Sequence, residues 1–212
     1  MEQMTLFDLF QKGEWAMWPL LVFSIITVSV IIERFIYILT HKLSIRKVAR
    51  NTLEEINNNN IDGAREYCKK CKKRILGAHV ILSALNMARL GEHRMEKAIE
   101  AEASEKINEM ERGLNILVAL GSLAPITGFL GTVSGMINAF QSIAAAADVN
   151  AQLVANGIFE ALITTAYGLL IAIVAIAAYN FFSFLVDKFT ADIEQLGSDI
   201  ITAVLVSGGN QS

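Results

Sequence analysis

Three long apolar blocks alternate along the chain with stretches rich in charge. The first, WAMWPLLVFSIITVSVII, is uncharged from Trp15 to Ile32 and ends at Glu33-Arg34. The second is uncharged from Gly113 to Ala147, and the third from Ala161 to Val186. A hydrocarbon core about 30 Å thick takes roughly 20 residues of helix, so each block predicts a transmembrane helix. The second block is longer than one crossing needs, and part of it should project past the bilayer.

Between the first two blocks the pattern changes to short amphipathic helices. SIRKVARNTLEEI reads as one helix, NNNN as a polar break, and IDGAREYCKKCKKRI as another helix with Asp62 as its cap. Gly91 closes the next helix, GAHVILSALNMARL. From Glu92 onward Met95, Ile99, Ala103, Ile107, Met110, Leu114 and Leu117 recur at spacings of three and four, which predicts a helix running unbroken into the second span. Phe189, Ile193, Leu196, Ile200 and Val204 extend the third span in the same way. Both stripes read as helix-on-helix packing.

Composition agrees with the pattern. Of 212 residues 53% are hydrophobic, against about 45–50% for a typical soluble domain even with glycine counted. Charge sets the expected orientation: residues 40–112 hold 15 of the 18 Lys and Arg residues, and such segments stay in the cytoplasm. The expected organisation is a periplasmic amphipathic leader 1–15, a span 16–39, a cytoplasmic helical region 40–112, a span 113–143, a short periplasmic loop 144–152, a span 153–186 and a cytoplasmic tail 187–212. The fold class is an all-α membrane protein with three transmembrane helices, N-terminus out and C-terminus in, the second and third extended into a cytoplasmic helical bundle. The leader carries three acids against Lys12, so a cleaved signal peptide, which needs a basic start, is not expected. With a net charge of −3 and no dense basic stripe, no nucleic-acid partner is expected either. Cys68 and Cys71 with His79 fall short of a four-ligand zinc site; they read as two ordinary thiols on a helix, and no metal or cofactor is expected.

The second and third spans carry matched stripes of small residues. Gly121, Pro125, Gly128, Thr132, Gly135 and Ala139 fall at spacings of 4, 3, 4, 3, 4, and Gly157, Ala161, Thr165, Gly168, Ala172 and Ala175 at 4, 4, 3, 4, 3. Small faces let helix backbones approach closely in lipid. The sharper reading is that they line a bore or a groove receiving a further helix. If the outer ends of the spans lie near Phe140 and Leu153, Thr132, Glu160 and Thr165 cluster in the outer half of the membrane. Glu160 lies about 100° around from the Ala161 line and shares the face of Thr164 and Tyr167. An ionised carboxylate at such a depth costs at least a few kcal/mol, so it should be paired, solvated or neutral. None of the three uncharged blocks contains a basic residue, which leaves protonation or a group from another chain.

The ordered strings LFDLFQKGEWAMWPLLVFSIITVSVIIERF, LAPITGFLGTVSGMINAF and GIFEALITTAYGLLIAIVAIAAYN resemble the leader and three spans of the ExbB/TolQ/MotA ion-channel proteins of bacterial inner membranes. The glutamate at Glu160 favours the ExbB/TolQ branch; Gly13-Glu14, where many members have Gly-Gly, departs from the pattern. The resemblance implies that Thr132, Glu160 and Thr165 lie along an ion path. It also implies that Gly121, Pro125, Gly128, Gly135, Ala139, Ala161, Gly168 and Ala172 face the bore. Such proteins form a homo-pentamer around two single-span ExbD- or TolR-like subunits, each with an aspartate in its span. Proton passage there drives motion relayed to a TonB- or TolA-like protein. A TolQ-like envelope-maintenance or gliding-type role is the alternative. From another class comes a passive oligomeric scaffold, with Glu160 as interhelical glue. An intramembrane enzyme is disfavoured, because the spans hold no histidine or cysteine and no base stands ready for serines such as Ser134.

Overall fold

A computed structural model describes residues 14–41, 45–72, 75–145 and 151–209. The described residues are almost all helical: α1 (Met17–Thr40), α2 (Arg46–Asn57), α3 (Ile61–Cys71), α4 (Leu76–Met87), α5 (Glu92–Glu111), α6 (Leu114–Ala145) and α7 (Ala151–Gly209), with short 3-10 turns at Glu14–Ala16 and Ala88–Leu90. Three stretches are long and apolar enough to cross a membrane: Met17–Thr40, one within Glu92–Ala144 and one within Gly157–Ser207. Most of the expected leader and the centre of the expected 144–152 loop lie outside the described residues.

The chain divides into two compact units. One comprises residues up to Ile32 together with Gly113–Phe181. Its core forms where α6 and α7 meet along their small residues, with the start of α1 laid against them. Met17, Leu20, Ala124 and Ile171 make a buried cluster against which Phe23, Ile163 and Tyr167 pack, and the Trp15 indole donates to the Ser134 hydroxyl at 3.1 Å. The outward faces are apolar: Ile126, Phe129, Leu162, Leu170 and Ile173 are all exposed. So much contiguous apolar surface requires lipid or a partner helix to cover it.

The other unit contains Glu33–Arg112 and the chain from Phe182 onward. Helices α2, α3 and α4 are 11 or 12 residues long, too short to persist alone in water. They are held by burial of Val48, Ile56, Ala64, Cys68, Val80 and Leu85, and α3 also by a side-chain cap. The cap of α3 is Asn60, not Asp62: the Asn60 side chain accepts the Gly63 N–H at 2.9 Å, while Asp62 in the first turn pairs with Arg65 at 2.8 Å. The helix begins two residues earlier than Asp62 would allow as a cap. Arg65 also donates to the Leu85 carbonyl at 2.7 Å and 3.1 Å, which already accepts the Ala88 N–H, and so ties α3 to the last turn of α4.

Two expectations from periodicity are corrected here. The helix from Glu92 does not run unbroken. It ends at Glu111, Arg112 takes an extended conformation, and Gly113 has φ +84°, a region that favours glycine. The buried line also drifts by one residue: Lys106 lies on it at 8% exposure and Ile107 is only half-buried. On α7, Gly197 is buried and Leu196 half-buried.

Candidate functional site

Small residues set the closeness of α6 and α7. A Cβ built on Gly168 would lie 2.5 Å from the Ala124 carbonyl oxygen, and one on Gly128 would lie 2.7 Å from the Thr164 carbonyl oxygen. A Cβ on Gly157 would meet that of Ala139 at 2.5 Å. The two small stripes therefore meet each other within one chain. Gly121, Gly128, Gly135, Ala139, Ala161, Gly168 and Ala172 are all buried there, and Pro125 is half-buried.

That closeness brings side chains of one helix onto the backbone of the other. Thr132 donates to the Ala161 carbonyl at 3.0 Å and lies 3.3 Å from that of Gly128. Thr165 reaches the Gly128 carbonyl at 3.1 Å, and the Thr132 and Thr165 hydroxyls bond each other. Thr164 donates to Ala161 at 2.8 Å and reaches Gly128 at 3.2 Å. Three hydroxyls thus converge on two carbonyls. A carbonyl has two lone pairs, and in a helix one is engaged by the N–H four residues on. The three hydroxyl protons must therefore share the two remaining sites and one another, so the network has more than one donation pattern.

The cluster has two flanks. Thr164 is buried at 2% exposure and lies over Gly131, where a Cβ would come within 2.7 Å of the Thr164 hydroxyl and 2.9 Å of Ala16 on the α1 side. One residue further along each helix, about 100° around, Thr132 and Thr165 are only half-buried. Pro125 shares the line of Thr132 by spacing. Of the three expected polar residues, Thr132 and Thr165 are in direct contact. Glu160 falls in α7, four residues before Thr164 on the same line; its side chain lies outside the described residues. Thr164 is the member that sequence reasoning did not assign to the site. Its adjacency to Thr165 and its place on the Glu160 face were the available signals.

Residues 69–195 match the model of the MotA/TolQ/ExbB proton channel family. Over 178 residues the chain is 32% identical to a putative biopolymer transport protein ExbB-like 1 of Synechocystis sp., covering 82% of this chain and 69% of that one. Against the biopolymer transport protein ExbB of Salmonella typhimurium it is 27% identical over 191 residues, 86% and 77% of the two chains. Against the Tol-Pal system protein TolQ of Pseudomonas aeruginosa it is 41% identical over 87 residues, 41% and 38% of the two.

Proposed function

Because this chain belongs to the MotA/TolQ/ExbB proton channel family, we propose that it is the ExbB-like, multi-copy subunit of an ion-driven motor in a bacterial inner membrane. In this reading residues 40–112 and the tail from Asp187 are cytoplasmic. Five copies surround a bore that holds two single-span partner helices of the ExbD or TolR kind. The ion passes a partner carboxylate beside Thr132, Glu160 and Thr165, and the motion is relayed to a TonB- or TolA-like protein. The electrical part of the driving force is about 2.3 kcal/mol per charge for each 100 mV.

The observation that carries this reading is the hydroxyl network on Gly128 and Ala161. Its half-buried flank, with Thr132 and Thr165, offers hydroxyls between exposed apolar residues such as Phe129 and Leu162, where a partner's carboxylate would be received. Hydroxyls that exchange donation patterns can accept and pass a proton without acquiring a fixed charge. A TolQ-like role in the cell envelope is the second reading, favoured by the higher identity of the TolQ segment.

The test has two parts. The native mass of the complex extracted gently from its source membrane should equal five copies of this chain with two of a smaller single-span protein. In that complex Thr165→Val should abolish ion-dependent activity and Thr165→Ser should retain it, with the mass unchanged in both. A homo-oligomer with nothing in its bore, or an active Thr165→Val complex, would move the assignment to a passive scaffold.

A further inference from the structure

In the unit that contains α2 to α5, a groove of about 340 Å³ runs between α5 and the later part of α7. Its floor is apolar, made of Ile99, Gly197 and Ile201, all three buried. Its rim carries Glu92, Glu96 and Glu100 of α5 and Glu194 of α7. All four are exposed, and none forms an ion pair or hydrogen bond with another described residue. The α5 glutamates are spaced four residues apart, so they repel one another along one helix edge. An apolar floor under a ridge of unrelieved like charge is a surface made more favourable by a basic, partly apolar partner.

The chain carries a complementary surface. Asn51 donates to the Tyr67 hydroxyl at 2.7 Å and Thr52 lies 3.4 Å from the Cys68 sulfur, which fixes α2 against α3. By that register Lys47 and Arg50 of α2 come to the same end of the pair as Lys69 of α3 and Lys72 just beyond it. All four are exposed and make no ion pair among the described residues. Half-buried Leu53 lies three residues after Arg50.

We propose that the acidic α5–α7 groove of one copy receives the basic end of the α2–α3 pair of the next copy. Two different, complementary faces on one chain make a head-to-tail contact, which closes into a ring when the rotation permits. The inference rests on the homo-oligomeric reading above and names the surface that would set the order of copies around it.

The experiment uses the intact complex, assembled from a mixture of ordinary and 15N-labelled chains. A carbodiimide, which joins a carboxylate directly to an amine, is applied and the linked peptides are sequenced. Mixed-isotope links between Glu92, Glu96, Glu100 or Glu194 and Lys47, Lys69 or Lys72 are expected. Reversing one face, by Glu96→Lys with Glu194→Lys or by Lys47→Glu with Arg50→Glu, should lower the assembled fraction on the order of tenfold. Combining the two reversals should restore it. Links confined to single copies, or losses that the combined variant does not restore, overturn the proposal while leaving the oligomer standing. A wild-type chain that runs as a monomer would instead sink the oligomeric reading, and this pairing with it.

Discussion

Gly168 lies so close to Ala124 that a Cβ on Gly168 would stand 2.5 Å from the Ala124 carbonyl oxygen and 3.3 Å from the Gly128 Cα. Both obstacles are backbone, so neither can rotate away. Gly168→Ala must push α6 and α7 apart, and overpacking of this kind costs about 1–3 kcal/mol. Gly197 offers the internal contrast. A Cβ there meets the Ile99 side chain, Cδ1 at 3.3 Å and Cγ2 at 3.5 Å, and no backbone, and alanine is favoured over glycine within a helix by up to about 1 kcal/mol. In detergent the midpoint of thermal unfolding should fall for Gly168→Ala and hold or rise for Gly197→Ala. Equal behaviour of the two variants would show that the α6–α7 spacing is not set by this contact.

The contrast between those glycines also marks what the sequence could and could not disclose. Stripes of small residues at spacings of three and four were visible, and so was the presence of Thr132 and Thr165 within them. What periodicity could not resolve was whether each stripe meets its counterpart in the same chain or faces outward. That depends on which flank α1 covers, and the Ala16–Gly131–Thr164 junction is a contact between residues far apart in the sequence. Lys106 escaped for another reason. Its stem lies along the buried line while its ammonium reaches Glu109 at 3.0 Å, so a charged residue occupies a position that a hydrophobic pattern would give to Ile107. The break after Glu111 was hidden because its only signal was a glycine at the start of an apolar run.

Arg34 is 5% exposed, and its guanidinium donates to the carbonyls of Glu109 at 2.8 Å and Met110 at 3.3 Å. These belong to the last turn of α5, whose carbonyls have no helical partner and which attracts positive charge. Tyr37 adds a second tie, donating to the Glu109 carboxylate at 3.2 Å. Arg34→Met keeps most of the packing and removes the donors. Hydrogen bonds from a charged group are each worth about 1.5–3 kcal/mol, so the last turn of α5 should fray. Hydrogen exchange should quicken at Lys106 to Glu111 and stay unchanged at the start of the helix. Unaltered exchange in that turn would mean that Arg34 is held by α5 without holding it.

Cys68 is fully buried, and burial pushes its thiol above the usual range, opposed in part by the hydrogen bond with Thr52. The folded chain therefore keeps this proton to higher pH than the unfolded chain does. The sign follows from proton binding: above the ordinary thiol pKa of about 8.5, the unfolded state releases the proton while the folded state retains it. Stability should then fall with rising pH through the interval between the two values and be unaffected below it. Lysines and tyrosines titrate in the same range, so the informative quantity is the difference between the wild type and Cys68→Ala. The variant starts from a lower stability, because it leaves a small cavity beside Thr52, but its stability should decline less steeply above about pH 8.5. Maleimide labelling gives an independent check. Cys71, half-exposed as the last residue of α3, should react in the folded protein, and Cys68 only once the chain is unfolded. Parallel alkaline slopes for the two proteins, or labelling of Cys68 as fast as Cys71, would place the buried thiol in contact with water and remove the basis of the shift.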